Sequence, residues 1–318
     1  MASQTINGKA FEFSLIECFY DRLKSKTEVT IDKSNEYYKA QDCFQSITDK
    51  KLIKSFQSSS LKAFEFLVDL EPNILGCDDS NKLTLYLQKD SQGQKGDVRD
   101  LVFIRGDKWE VGISAKNNHK AVKHPRLSKK YNFGSVWFEL ENTKKYFDDI
   151  KGIFEIIEYK QNKDKTLKWK DEFPNIDVEV YEPILIAFKD ELYRLHSKNS
   201  TQISSMFIKY LIGKEDFYKV INSRNKVEIQ AFNINNTLGK KCRNTKPKHT
   251  LSKLKLPSKI INIDFKENTK TTLIVTLNQG WQISLRIHNA SSKLERSLKL
   301  DVNLVSTPDS LFTHHTFI

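Results

Sequence analysis

The stretch Gly96–Ser128, GDVRDLVFIRGDKWEVGISAKNNHKAVKHPRLS, contains two short runs of Val, Ile, Leu and Phe joined by Gly106-Asp107. Runs of this length, rich in branched and aromatic side chains and split by a glycine-containing turn, predict a β-hairpin of Asp100–Arg105 and Trp109–Lys116. Side chains alternate along a strand, so Glu110, Gly112, Ser114 and Lys116 share one face while Val111, Ile113 and Ala115 point into a core. An acid thus opens one strand and a lysine closes the next. Phosphodiester hydrolysis needs a carboxylate to hold a divalent cation against the phosphate and a positive charge beside the attacking water, and Asp100 and Lys116 suit those roles. The plain alternative is a strand-opening acid and a solvated lysine.

Upstream, apolar residues at three- and four-residue steps predict helices over Gly8–Leu23 and Ser59–Leu70, with a strand at Leu83–Leu87 following the second. The pentapeptide KAFEF occurs in both helices, as Lys9–Phe13 and Lys62–Phe66, and reads as a coincidence of helix composition. Downstream, the pattern predicts a helix over His119–Lys130, strands at Ser135–Leu140 and Pro183–Phe188, and a charged loop over Lys160–Glu172. Strands are expected again at Ile260–Phe265, Thr271–Leu277, Trp281–Ile287 and Leu298–Leu304. From Ile229 to Ile263 there is no acid but eight lysines and arginines, and a domain boundary is placed at 228/229. The expectation is an α/β chain: a helical N-terminal region plus mixed-sheet core over 1–228, then a basic segment and β-rich lobe over 229–318.

The 318 residues carry 52 Lys+Arg against 40 Asp+Glu, a net charge of +12, which excludes an acidic, self-solvating polypeptide. With 38% hydrophobic residues and only 11 Gly and 7 Pro, the chain has the apolar mass for a packed core and is not low-complexity. Cys18, Cys43, Cys77 and Cys242 are scattered without CxxC spacing, which argues against a disulfide framework or zinc site. Neither a membrane-length apolar run nor a signal-like apolar start is present, so a cytoplasmic protein with no membrane partner is expected.

Asp100 and the Ser114-Ala115-Lys116 tripeptide resemble the two motif halves of the PD-(D/E)xK nuclease superfamily, whose core is a mixed sheet flanked by helices. Ser114 stands where that pattern has its second acid, and Asp100 lacks the preceding proline. Glu110 is on the right face but about 13 Å along the strand. The missing carboxylate is therefore sought on a helix, with Glu65 preferred over Glu12 because its helix immediately precedes the first strand. Ser114 is kept as a weak catalytic candidate, while Asp97 and the carbonyl of Ala115 join Asp100 and Glu65 as candidate metal ligands. More specifically, NGKAFEF at Asn7–Phe13, GDVRD at Gly96–Asp100, GISAKNNHKAVKHPRLS at Gly112–Ser128 and GWQISLRIHNASS at Gly280–Ser292 together resemble type II restriction endonucleases of the HaeIII type. That resemblance implies Mg²⁺-dependent hydrolysis of double-stranded DNA at GGCC, 5′-phosphate products, and a cognate DNA methyltransferase that is functionally paired but not bound. It leaves open whether one subunit or a homodimer embraces the duplex.

Candidate DNA contacts follow from charge as well. Between Ser114 and Phe133 there is no acid, and Asn117, Asn118, His119, Lys120, Lys123, His124 and Arg126 are read as a phosphate-binding run. Lys241 and Arg243 represent the second basic segment. Arg286, His288, Asn289 and Ser291 follow the apolar run WQISLRI, and Arg286 is the first candidate to read guanine, since arginine bonding O6 and N7 is the commonest specific base contact. The rival readings are a structure-specific repair or recombination nuclease, and a non-catalytic DNA-binding protein with a degenerate nuclease core.

Overall fold

The computed structural model describes residues 3–77, 81–94, 96–107, 109–118 and 121–318. In chain order the helices and strands are α1 (Ser3–Leu23), β1 (Val29–Asp32), α2 (Asn35–Gln45), α3 (Lys50–Leu70), β2 (Leu83–Leu87), α4 (Asp90–Gln94), β3 (Leu101–Arg105), β4 (Trp109–Asn117), β5 (Ala121–Lys123), β6 (Arg126–Ser128), α5 (Phe133–Phe138) and α6 (Lys144–Lys163). They continue with α7 (Trp169–Glu172), α8 (Glu182–Lys198), α9 (Ser200–Ile212), β7 (Phe217–Ser223), β8 (Lys226–Phe232), β9 (Ile260–Phe265), β10 (Thr272–Leu277), β11 (Gln282–His288), β12 (Ser297–Ser306) and β13 (Phe312–Phe317).

The chain forms two units, each assembled from separated segments: 1–119, 213–255 and 310–318 in one, 120–212 and 256–309 in the other. A division at 228/229 would cut β8, and the last strand, β13, pairs with β8 instead of joining the C-terminal sheet. The expected two-part division by sequence order is thus replaced by an interleaved one.

The first unit is a seven-stranded mixed sheet, ordered β1-β2-β3-β4-β7-β8-β13. β3 and β4 pair antiparallel as the expected hairpin, while β4 and β7 run parallel. α1 covers this sheet because its apolar side chains serve two neighbours: the Phe19 ring lies 4.8 Å from Phe103 on β3 and 5.2 Å from Phe64 on α3. Phe11 meets Phe56 of α3 at 5.4 Å, and the hydroxyls of Ser14 and Ser60 bond at 2.9 Å where the two helices touch. A helix packed on both sides buries polar positions as well as apolar ones, and α1 does so at Glu12 and Ser14.

Glu71, just after α3, is another buried acid. Both the Tyr218 hydroxyl and the Gly239 N–H donate to its Oε1, each at 2.7 Å. Burial pushes its pKa up to about 7, with those two donors pulling the other way. Because the folded value exceeds the unfolded one, the folded state holds the proton more tightly, and stability is lost as pH rises from about 4.5 through 7. Glu71→Gln keeps an oxygen for both donors, so the variant should lose this slope and gain roughly 3 kcal/mol relative to wild type between pH 5 and 8. Urea unfolding at the two pH values checks this; parallel pH profiles would remove Glu71 as the cause.

The second unit pairs a helical cluster with a second sheet, β5-β12-β11-β10-β9, with β6 also on β12. Three expectations change here. The helix expected over His119–Lys130 does not form in its described part, 121–130: Pro125 interrupts it, and β5 and β6 on either side pair with β12. Ser135–Phe138 of the first expected strand and all of Pro183–Phe188 are helical, in α5 and α8. They pack into an aromatic cluster in which Phe133 and Trp137 lie 4.3 and 5.6 Å from Phe188. A helix buried among aromatics is apolar nearly all round, and a six-residue window of it cannot be told from a buried strand by periodicity. Lys160–Glu172 is not a continuous loop, since α6 runs to Lys163 and α7 buries Trp169.

Candidate active site

Asp100 lies one residue before β3, and the strand register sets it beside Ser114 on β4: its N–H donates to the Ile113 carbonyl at 2.8 Å. The two-residue alternation of β4 then brings Lys116 to the same face. Three donors converge on one oxygen, Asp100 Oδ2: the Ala115 N–H at 2.7 Å, Lys116 Nζ at 3.0 Å and Ser114 Oγ at 3.1 Å. Oδ1 has no hydrogen-bond partner among the described residues. Ser114 is buried and acts by holding Asp100 in place. Ala115 bonds the acid through its N–H, which leaves the carbonyl expected as a metal ligand a separate question of cation binding.

Of the two expected helix acids, the fold brings Glu12 close enough to Asp100 to feel its charge and leaves Glu65 away from it. Glu12 is 6% exposed, and α1 packs on β4. Burial first, and then the negative charge of Asp100, push its pKa up to about 8, while Lys9 and Lys116 pull it down. Glu65 stands on the outer face of α3, its side chain 50% exposed and paired with Lys62 at 2.9 Å. Lys116 would lose proton affinity by burial alone, but the charges of Asp100 and Glu12 raise its pKa, so it is a cation at neutral pH.

Lys9 was not among the expected site residues. Its ammonium contacts Glu12 Oε2 at 3.0 Å and Asp90 Oδ1 at 2.7 Å, and these acids overcome burial to raise its pKa. The available signal was the Lys-x-x-Glu spacing inside Asn7–Phe13, which on a helix makes the two side chains neighbours. Asp97 is committed elsewhere. Arg99 donates to it once through its backbone N–H and twice through its guanidinium, whose other arm holds Glu110 at 2.7 Å, and its pKa is lowered by Arg99 against the effect of burial. Arg99 fits closely because residue 112 is glycine: a Cβ there would lie 2.0 Å from Arg99 Cδ.

Two carboxylates with free oxygens, one buried with an elevated pKa, suit a divalent cation. Mg²⁺ is commonly held by one or two carboxylates, its remaining positions taken by water and substrate phosphate. No group of three or more His, Cys, Asp or Glu able to hold a metal is found among the described residues, which argues against an all-protein cage.

The expected DNA contacts separate into several groups. Asn117 accepts from Asn222 Nδ2 at 2.9 Å, and Asn222 accepts from Ser59 and Ser55 at 2.6 and 3.1 Å, so the Asn117 amide belongs to a core network. Asn118 ends the strand at φ +53° with its N–H bonded to the Asn222 carbonyl. His119 and Lys120 lie outside the described residues. Lys123 sits 4.2 Å over the Tyr210 ring, burial lowering its pKa, and Arg126 pairs with Glu295 at 3.3 Å. His124 and His288 both contact Asp301, at 2.6 and 3.0 Å. Asn289 is tied to Tyr181 through its N–H, at 3.0 Å, and to the Ser291 carbonyl through its side chain; the Ser291 hydroxyl donates to Lys293 at 3.1 Å. Lys241, Arg243 and Arg286 are exposed. Sequence showed the charge of these residues but not which of them the fold had already partnered.

No helix among the described residues is long and apolar enough to cross a membrane. A family model of the HaeIII restriction endonuclease matches residues 8–308. The type II restriction enzyme HaeIII of Haemophilus aegyptius is 37% identical over 314 residues, spanning 98% of this chain and 96% of that protein. No solved structure matches the chain. With an acid–lysine hairpin and a helix glutamate gathered on one sheet, and the similarity running nearly end to end, the chain belongs to the HaeIII family of type II restriction endonucleases, enzymes that cleave double-stranded DNA at specific sites.

Proposed function

We propose that the protein hydrolyses both strands of duplex DNA at GGCC with Mg²⁺ held by Asp100 and Glu12, leaving 5′-phosphates. The observation that carries the chemistry is the saturation of Asp100 Oδ2 by three donors beside a second, buried carboxylate, with Lys116 between them in charge. A divalent cation there supplies Lewis-acid polarisation of the scissile phosphate and acidifies a water molecule. The chain's own residues do the rest. The Ser114 hydroxyl and Ala115 N–H fix Asp100; Lys9 fixes Glu12. The Lys116 ammonium orients the attacking water in line and stabilises the charge that grows on the phosphoryl oxygens. The GGCC site is the one implied by the name of the relative. A palindrome offers two equivalent bonds to a chain with one such site, so two copies acting on one duplex complete the break. A host would need a methyltransferase acting on the same sequence to protect its own DNA.

The test is digestion of a plasmid containing every tetranucleotide, with Mg²⁺ or with EDTA, and sequencing of all ends. Ends confined to GGCC and absent in EDTA are expected. Ends that follow junctions or flaps would favour a structure-specific nuclease, and intact DNA with a retained gel shift would favour a binding protein with a lost active site.

A further inference from the structure

We propose that the open face of β11 and β12 enters a groove of the duplex, where Arg286 and Asn303 read base edges while Asp301 fixes His124, His288 and Lys299 around them. This rests on the reading of the protein as a duplex-DNA endonuclease. The register places Ser284 opposite Asn303, Arg286 opposite Asp301 and His288 opposite Lys299. The alternate residues Ile283, Leu285, Ile287, Leu298, Leu300 and Val302 are fully buried. The polar six therefore stand together on the other surface, exposed or half-buried.

Within that surface two groups behave differently. Asp301 is occupied: His124 lies at 2.6 Å, His288 at 3.0 Å and Lys299 at 3.4 Å. Ser284, Arg286 and Asn303 hold no side-chain hydrogen bond or ion pair among the described residues. Arg286 is thus an exposed donor fork whose facing carboxylate is already taken, and Asn303 an adjacent amide with donors and acceptor unused. These are the side-chain types that pair with base edges in two-point contacts, and a two-stranded ribbon fits the major groove. Charge agrees, since on the facing positions of β11 and β12 the cations Arg286 and Lys299 stand against the single acid Asp301. Asn303 and Ser284 carry no sequence motif, and only the strand register brings them to Arg286.

The test selects binding sites from a random duplex pool with wild type, Arg286→Ala, Arg286→Lys and Asn303→Ala, using Ca²⁺ in place of Mg²⁺, and then measures affinity for the wild-type site and for an unrelated duplex. Wild type should enrich one short site. Arg286→Ala and Asn303→Ala should each lose about tenfold to a hundredfold in affinity for it while keeping the weak affinity for unrelated DNA. Arg286→Lys should fail to restore the preference, because a point charge lacks the fork. Full discrimination in either alanine variant, or an equal loss on both duplexes, overturns the proposal. Selection by wild type of a site other than GGCC would correct the substrate above, and loss of that site by the variants would still support the readout. Unchanged melting temperatures separate lost recognition from lost folding.

Discussion

Asp100→Asn should reduce Mg²⁺-dependent cleavage on the order of 10³-fold or more while leaving duplex binding in Ca²⁺ within a few fold of wild type. The amide keeps one oxygen for the Ala115 N–H and the Ser114 hydroxyl, so those donors stay satisfied and the strand junction stays folded. What is lost is the negative charge that a divalent cation and the Lys116 ammonium both need. Asp100→Ala should be equally inactive but also less stable, by about 1–3 kcal/mol, because it strands a buried N–H and hydroxyl. Lys116→Met should be inactive and still bind DNA. Single-turnover cleavage of a one-site duplex, with a parallel gel shift, measures both quantities. Cleavage by Asp100→Asn at the wild-type rate would remove Asp100 from the chemistry, and joint loss of binding and folding in all three variants would make the cluster structural.

The second large effect separates two glutamates. Glu12→Gln should lose cleavage by a factor comparable to Asp100→Asn, and isothermal calorimetry with Mn²⁺ should show weakened metal binding even without DNA. Glu65→Gln should cleave within about twofold of wild type, since its exposed ion pair with Lys62 contributes little. If Glu65→Gln were the inactive variant, the site described above would be misassigned.

The structure explains why such a choice was not open to sequence reasoning. Pattern located the hairpin to within a residue at each end, and with it Asp100, Ser114 and Lys116 on one face, because the two-residue alternation of a strand is a local property. Turn chemistry and apolar runs likewise found β2 and β9 through β12. The buried helices α5 and α8 were misread as strands because their surroundings, not their own periodicity, decide how many faces are apolar. The basic run after β4 was read as a phosphate track. Two of its cations already have partners within the fold, Tyr210 and Glu295, which lie 87 and 169 residues away from Lys123 and Arg126 respectively.

KAFEF gives the sharpest comparison. The same five residues occur at Lys9–Phe13 and Lys62–Phe66, both are helical, and both form the same lysine–glutamate pair, at 3.0 Å in one and 2.9 Å in the other. Everything the local sequence controls is identical. The difference is that α1 is packed between the sheet and a second helix, which buries Glu12 beside Asp100, whereas α3 leaves Glu65 in water. Sequence by itself determined the hairpin, its acid and its lysine, and the polycationic balance. Only the tertiary structure decided which carboxylate joins them and which cations remain free, because burial and partner choice depend on what packs against a residue from distant parts of the chain.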